Sequence, residues 1–330
     1  PVGSVHSLTG IAAGLNHETC LLQTSAGRYV LQRLHPELAS DGILADYRAV
    51  TEHLADRAFP SPRLVPTVDG RFHVDQDNSR YRLITYVPGV SSDSVADCRM
   101  AGEAAMMMGS FHVAMGEFRH AFISGRPLHD SPGHYAAFQA AVRKHGNHPL
   151  MPECRDMVNT IDEFLPNLFL PHPLPSRVVH GDPKISNVLF DIEGRRSIGL
   201  VDLDSCGRHT ALVDIGDAVR SWCRDGPEDL PSPFLADRFR AACEGYAQSG
   251  AALSSIEAKH IVRSCRLITL ELGSRFLRDV FEDRYFGWDR ARFASRAAHN
   301  LARSRGCIAL HESMAAQQAE MDRIVREVWN

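Results

Sequence analysis

The chain has 330 residues, 44% of them hydrophobic and 23% charged, which favours two lobes because single cores usually stop growing near about 250 to 300 residues. The formal net charge of −4 excludes the basic surface that nucleic-acid binding needs, and no apolar run approaches the roughly 20 residues of a membrane span. We therefore expect a small-molecule partner, with no nucleic acid and no membrane as partner, and the oligomeric state stays open.

The first part of the chain predicts a small antiparallel sheet with one helix. Residues 19–23 and 28–34 alternate in polarity on either side of Ser25-Ala26-Gly27, which is typical of a hairpin. A helix follows, with Asp41 as its predicted cap. The apolar residues that share one face of this helix are Ile43, Tyr47, Val50 and Leu54.

A second hairpin is predicted around Asp69-Gly70, with strands over residues 65–68 and 72–74. A further strand over residues 80–87 ends in Pro88-Gly89. After this strand the pattern becomes largely helical. The segment from Val87 to Ser92 is therefore the expected boundary between the lobes and the place where an adenine ring would lie.

Apolar residues recur at steps of three and four through most of the remaining chain, which indicates helices. The clearest helical ranges are about 101–118, 153–165 and 254–280. Ser254 and Glu257 form a capping box at the start of the last one. Two short strands, 188–190 and 198–201, turn at Glu193-Gly194.

Chemistry is concentrated in residues 178–191 and 199–204. Phosphoryl transfer needs a carboxylate beside the attacking hydroxyl, a cation against the transferring phosphoryl group and oxygen ligands for magnesium. The residues that supply these groups are Asp182, Lys184, Asn187 and Asp202. The Asp-x-x-x-x-Asn spacing matches the catalytic loop of kinases, so Asp182 is the predicted base. Ordinary capping by these polar residues is the alternative interpretation.

The motif His-Gly-Asp-x-Lys-x-x-Asn from His180 to Asn187, with Val-Asp-Leu-Asp from Val201 to Asp204 and the segment 213–220, resembles the aminoglycoside phosphotransferase and choline kinase superfamily. Within it, the likeness is strongest to the N-acetylhexosamine 1-kinase group, and the segments 29–33 and 271–279 agree. The resemblance implies an α+β, protein-kinase-like bilobal fold, with a small antiparallel-sheet N-lobe that has one helix and a larger, mainly helical C-lobe.

On this resemblance, residues 1–90 form a nucleotide-binding lobe, and residues 91–330 form a catalytic and substrate-binding lobe. The implied nucleotide-binding residues are Arg33, Gly14, Thr19, Glu52, Thr85, Tyr86 and Val87. Arg33 would grip the phosphates with Glu52 or Asp46 as its partner, although alternating strand faces leave Gln32 as a possible inward side chain. In the phosphate loop, His17 stands where the family pattern has Asn.

The resemblance also extends to the metal and the acceptor. Asn187 and Asp202 would bind magnesium, and Asp204 would be either a further ligand or a support for its loop. Arg275 and Tyr285 would line the acceptor pocket beside Asp182. Asp214 and Asp217, in contrast, fit a structural role.

These residues predict an ATP- and Mg²⁺-dependent kinase that phosphorylates a hydroxyl of a small metabolite. The resemblance implies the anomeric hydroxyl of an N-acetylhexosamine, and choline or ethanolamine, homoserine and an aminoglycoside are the alternative acceptors. A non-catalytic, nucleotide-binding pseudokinase is the alternative from another class. The eight cysteines lack a Cys-x-x-Cys pair, which favours reduced thiols and a cytoplasmic protein.

Overall fold

A computed structural model describes residues 2–11, 17–125 and 128–329. The N-terminal part is a five-stranded antiparallel sheet with the strand order β1-β2-β3-β5-β4. The strands are β1 (Val5–Ile11), β2 (Glu18–Thr24), β3 (Gly27–Arg33), β4 (Val74–Gln76) and β5 (Ser79–Thr85). The predicted hairpin is confirmed as β2–β3, in which Thr24 lies opposite Gly27.

One helix, α1 (Asp41–Asp56), packs on this sheet. Its apolar face is the predicted one, since Tyr47, Val50 and Leu54 are buried in the core. The predicted cap is wrong by one residue: the side chain of Ser40 accepts a hydrogen bond from the backbone nitrogen of Ile43. Ser40 therefore satisfies a free N–H group at the helix start.

The second predicted hairpin is misplaced. The strand expected over residues 65–68 is not formed, and Val68 is 97% exposed. The hairpin lies one turn later, between β4 and β5, where Asp77 and Asn78 both adopt positive φ angles. Asn and Asp tolerate that conformation at small cost, so two consecutive such residues make a tight hairpin turn.

The rest of the described chain is mainly helical. The helices are α2 (Cys98–Ala114), α3 (Ser131–Lys144), α4 (Met151–Phe164), α5 (Ala211–Trp222), α6 (Ala236–Gln248), α7 (Ser255–Glu282), α8 (Arg296–Ala316) and α9 (Gln318–Trp329). The predicted capping box at Ser254 and Glu257 starts α7. Packing of α2 on α6, and of α7 on α5 and α8, forms most of the core. Within the described ranges, no helix is long and apolar enough to cross a membrane.

Two short antiparallel pairs interrupt the helices and position the loop that carries the motif. They are β6 (Arg177–Val179) with β9 (Gly207–His209), and β7 (Val188–Phe190) with β8 (Ser197–Leu200). Val90 and Phe190 exchange two backbone hydrogen bonds of 2.9 Å each. The segment that leaves the N-terminal sheet is therefore tied directly to the strand that follows the motif.

Candidate active site

The loop between β6 and β7 brings a carboxylate and an ammonium group into contact. Lys184 Nζ lies 2.7 Å from Asp182 Oδ2 and 3.8 Å from Asp202 Oδ2. Burial alone would raise the pKa of Asp182, but the charge and the hydrogen bond of Lys184 hold it below its usual value. Burial opposes the charge of Lys184, yet Asp182 and Asp202 raise its pKa. The loop therefore holds an ionised carboxylate beside a permanent cation.

Two oxygen-bearing side chains beside this pair have the character of magnesium ligands. Asn187 Nδ2 donates to the backbone oxygen of Asp182 at 2.8 Å, so the amide is oriented by the loop. Asp202 adopts a left-handed backbone with φ +63°, which is uncommon for a residue other than glycine. Within the described residues, no hydrogen bond reaches its carboxylate. An amide oxygen and a carboxylate of this kind suit Mg²⁺.

Asp214, on α5, supports the loop from below. Its two carboxylate oxygens accept hydrogen bonds from the backbone nitrogens of His180 and Gly181 at 2.7 and 2.8 Å. His112 Nε2 lies 2.8 Å from Asp214 Oδ2, and its Nδ1 lies 2.8 Å from the Tyr246 hydroxyl. Burial would raise the pKa of Asp214, but the hydrogen bond and charge of His112 lower it. The expected structural role of Asp214 is thus visible as a fixed, ionised brace.

Gly181 is required by the shape of the loop. It adopts φ +82°, and a Cβ atom built there would lie 2.4 Å from the backbone oxygen of Ser205. His180 also braces the loop, with Nε2 at 3.0 Å from the backbone oxygen of Val201. The absence of a side chain at Gly181 therefore lets the loop pack against the turn after Asp202.

A buried ion pair joins the N-terminal sheet to that turn. Arg82, on β5, donates from Nη1 and Nη2 to the two carboxylate oxygens of Asp204 at 2.6 and 2.5 Å. Its Nε donates to Gln32 at 2.9 Å, and its guanidinium lies 4.3 Å from the ring centroid of Tyr47. Burial would raise the pKa of Asp204, but the charge of Arg82 lowers it strongly. This pair was not foreseen from the sequence.

Arg33 contacts neither of the acids expected as its partner, and its contact with the nucleotide phosphates stays a prediction. Arg33 bonds to Glu18 at 2.8 Å and lines an open depression of about 730 Å³ at the outer edge of the sheet. Its proposed partner Glu52 is paired with Arg48 at 2.7 Å, and Asp46 accepts hydrogen bonds from the segment 120–124. Strand parity explains the difference, because successive side chains alternate between faces, and Gln32 is the inward residue of β3.

The other predicted nucleotide residues lie along the inner face and the exit of the sheet. Thr19 is paired with Gln32 in the β2–β3 register, and its Oγ1 accepts a hydrogen bond from the Gln32 amide at 3.4 Å. Thr85 is the last residue of β5, and Tyr86 and Val87 follow it toward the crossover. Gly14 lies outside the described residues. The nucleotide roles of all these residues stay predictions.

On the far side of the loop, a buried polar cluster surrounds Glu271 of α7. His129 Nδ1 lies 3.1 Å from Glu271, and the Ser131 hydroxyl donates to its other oxygen. Burial would raise the pKa of Glu271, but His129 and then Arg275 lower it to about 2. Burial lowers the pKa of His129, but Glu271 and then Asp217 raise it. The family resemblance marks the segment 271–279 but assigns no role to Glu271, whose position as a lone acid among apolar helix residues is a usable signal.

The two predicted acceptor residues lie together beside this cluster. Arg275 is 5.6 Å from the ring centroid of Phe286, and the Phe286 ring packs edge-on against Tyr285 at 4.8 Å. Asp279 shapes the segment by accepting hydrogen bonds from the backbone nitrogens of Tyr285 and Phe286, at 2.9 Å each. The charge of Asp217 acts on both His129 and Lys184, which links this side to the catalytic loop.

Together these features define a phosphotransferase that acts on an alcohol group. They are the loop with Asp182 and Lys184, the two candidate metal ligands, and the ion pair of Arg82 with Asp204 that joins the sheet to this loop. The chain belongs to the phosphotransferase enzyme family, whose model matches residues 7–251. The homoserine kinase of Rhodopseudomonas palustris (strain BisA53) is 27% identical over 247 residues, which are 74% of this chain and 71% of that protein.

Solved structures share the fold at low identity. A microcompartment-associated aminopropanol kinase has a TM-score of 0.64 and 17% identity, covering 96% of this chain and 94% of its own. Amicoumacin kinase hAmiN in complex with AMP-PNP, Ca²⁺ and Ami has a TM-score of 0.63 and 14% identity, covering 93% and 90%. These structures confirm the α+β, kinase-like fold, and the family match confirms the superfamily. The N-acetylhexosamine 1-kinase subgroup is not confirmed, because the similar curated relatives include homoserine kinases.

Proposed function

We propose that this small-molecule kinase transfers the γ-phosphoryl group of ATP to the anomeric hydroxyl of an N-acetylhexosamine. The observation that carries the phosphoryl-transfer part is the contact of Asp182 with Lys184 beside Asn187 and Asp202. We place the nucleotide on residues 1–90 and the acceptor on residues 91–330. The inner sheet face, with Thr19, and the crossover after Thr85 support the first placement.

Each residue of the loop has one task. Asp182 accepts the proton of the acceptor hydroxyl at a carboxylate oxygen as the oxygen attacks. Lys184, already paired with that carboxylate, keeps it ionised and lies ready to neutralise charge on the transferring group. Magnesium, when held by Asn187 and Asp202, would neutralise the phosphate oxygens. An anomeric hydroxyl is more acidic than an ordinary alcohol, so a carboxylate is an adequate base for it.

The acceptor assignment is supported by the chemistry around α7. A sugar presents hydroxyl groups and an apolar ring face. Arg275 offers donors for hydroxyl groups, and Tyr285 offers an aromatic face. A polycationic aminoglycoside or a choline cation would instead favour unpaired acids, whereas Glu271 is already neutralised by His129 and Arg275.

Homoserine is the second candidate acceptor, because the similar curated relatives include homoserine kinases. Homoserine carries a carboxylate and an ammonium group. Arg275 could bind the carboxylate. Asp217 is buried and paired with Arg220 at 2.7 Å, so it is not free to bind the ammonium group.

The test is a panel assay that follows ADP release with Mg²⁺-ATP and N-acetylhexosamines, homoserine, choline, ethanolamine and aminoglycosides. We expect turnover with an N-acetylhexosamine, and a loss of about 10²- to 10⁴-fold in kcat for Asp182→Asn. Asp156→Asn, an exposed acid on α4, is the matched control and should keep full activity. Turnover with homoserine alone would replace the sugar by the second candidate.

Two further outcomes would reject the assigned base or the catalytic activity, and not only the identity of the acceptor. Full activity in Asp182→Asn would reject the assigned base. A protein that is stabilised against heat by Mg²⁺-ATP but turns over no acceptor of the panel would favour the nucleotide-binding pseudokinase, because ligand binding alone raises the melting temperature.

A further inference from the structure

The pair of Arg82 and Asp204 is unusual for its burial and its reach. The side chains of both residues are 1% exposed, and they lie 122 positions apart in the chain. Arg82 has a partner for Nε, Nη1 and Nη2, and an aromatic ring against its guanidinium face. Buried ion pairs contribute little net stability, because desolvation offsets their attraction. A gain in folding stability therefore does not by itself explain why Arg82 and Asp204 form a buried ion pair.

The position of Asp204 points to a role at the metal site. Asp204 lies in a one-turn 3₁₀ helix, Leu203–Ser205, that follows directly after Asp202 with its left-handed backbone. One ligand atom each of Asp202, Asp204 and His17 lie within 4.8 Å of one another. Fixing Asp204 therefore fixes the turn that aims the Asp202 carboxylate.

The charge pattern of the sheet supports the same assignment. The inward residue of β3 is the neutral Gln32, and Arg33 points to the opposite face with Glu18. Gln32 lies directly across from Arg82 and accepts its Nε hydrogen bond. Arg82 thus brings a buried positive charge from the sheet to the turn Leu203–Ser205, which we call the metal turn. Its two hydrogen bonds occupy both carboxylate oxygens of Asp204.

We propose that Arg82 is a positioning residue for nucleotide and metal binding, and that Asp204 is its anchor rather than a magnesium ligand. The inference rests on the proposed kinase function. By holding Asp204 from the N-terminal sheet, Arg82 orients Asp202 and sets the distance between the sheet and the metal turn. Its loss should weaken binding of the metal-nucleotide complex and leave acceptor binding almost unchanged.

The experiment compares Arg82→Gln, Arg82→Lys and Arg80→Gln. Arg80 is the matched control: it lies on the same strand and face and is ion-paired, but with Asp75 and Asp41 of the N-terminal part. The dissociation constant of ADP is measured by calorimetry with and without Mg²⁺. The KM values for ATP and acceptor are measured separately.

We expect Arg82→Gln to weaken Mg²⁺-ADP binding by about tenfold or more and to change the acceptor KM less than about twofold. ADP without metal should bind the variant almost as it binds the wild type. Arg82→Lys should recover part of the loss, and Arg80→Gln should match the wild type. Equal Mg²⁺-ADP binding by Arg82→Gln and the wild type would overturn the inference.

Should Arg82→Gln fail to fold, the double variant Arg82→Met with Asp204→Leu removes both buried charges and is expected to fold. Weakened Mg²⁺-ADP binding by that variant supports the inference, and wild-type binding overturns it. If the wild type itself binds no Mg²⁺-ADP, the proposed function fails as well. If the wild type binds Mg²⁺-ADP and the Arg82 variants bind it equally well, this inference is rejected and the proposed function stands.

Discussion

The brace formed by Asp214 allows the most direct test of how the catalytic loop is held. Asp214 is fully buried and accepts hydrogen bonds from two backbone N–H groups and from His112. Substitution Asp214→Asn keeps the volume but replaces one acceptor oxygen by an NH₂ donor. That donor must face either a backbone N–H group or the His112 ring. One buried donor therefore loses its partner, and the buried negative charge is lost.

The cost follows from these contacts. A buried donor without a partner costs about 1–3 kcal/mol, and each hydrogen bond to an ionised group contributes about 1.5–3 kcal/mol. Because the two effects overlap, we expect about 3–5 kcal/mol in total. With about 2.1 cal/mol/K of unfolding entropy per residue, each kcal/mol shifts the melting temperature of a 330-residue chain by about 1.4 °C. The expected fall in melting temperature is therefore roughly 4–7 °C.

The assay is thermal unfolding by circular dichroism, combined with kcat measured under saturating substrates. Asp156→Asn provides the control for removing an exposed carboxylate from a helix, and it should shift the melting temperature by less than about 2 °C. We expect Asp214→Asn to lower kcat as well, because the backbone of His180 and Gly181 leads directly into the base. A melting temperature within about 2 °C of the wild type would refute the argument that this carboxylate braces the loop.

Two further predictions concern the loop itself. Gly181→Ala should abolish most of the activity, because its Cβ would lie 2.4 Å from the Ser205 backbone oxygen. Gly194→Ala is the control: Gly194 also has a positive φ but open space around it, so this variant should keep activity with a small loss of stability. Equal activity of the two variants, measured at saturating substrate, would contradict the prediction. Lys184→Met should raise the pKa of Asp182, since Lys184 is the group that lowers it against burial. The acidic limb of the kcat/KM profile should then move to higher pH, in contrast to the exposed control Lys144→Met, and an unmoved limb would show that Lys184 does not set the charge of the base.

The loop was predictable from the sequence because its chemistry is local. Asp182, Lys184 and Asn187 lie within six consecutive residues, and their spacing alone brings them to one loop. Local turn and cap signals also predicted the β2–β3 hairpin and the start of α7. In each of these cases the interacting residues are close in sequence, so no knowledge of the tertiary packing is required.

Where two local signals competed, the sequence could not decide between them. Both Asp69-Gly70 and Asp77-Asn78 are turn signals, and the structure makes its hairpin at the second. Asp69-Gly70 does form a turn, closed by the bond from the Thr67 backbone nitrogen to the Arg71 oxygen at 2.7 Å, but residues 65–73 form no strand beside it. The same limit applies to Arg33, since a shift of one residue moves a strand side chain to the opposite face.

A structural role for Asp214 was predicted, but the partners of the supporting side chains could not be, because each contact joins distant segments. The bonds of Asp214 to His180 and to His112 span 34 and 102 positions, and the pair of Arg82 and Asp204 spans 122. A buried acid or arginine is visible in a sequence only as an interruption of an apolar pattern. Its partner depends on how the sheet and the helices pack, which one sequence does not specify.

These two supports also explain how the loop can keep its shape before substrate binds. Asp214 ties the start of the loop to α2 through His112, whereas Asp204 ties the turn Leu203–Ser205 to the sheet through Arg82. Both are buried carboxylates with lowered pKa values, so they remain ionised acceptors and cannot exchange their partners for water. Charged groups held this way need no reorganisation when the phosphoryl group moves, which is where electrostatic catalysis gains most. The sheet and the helices therefore each fix one end of the segment that performs the chemistry.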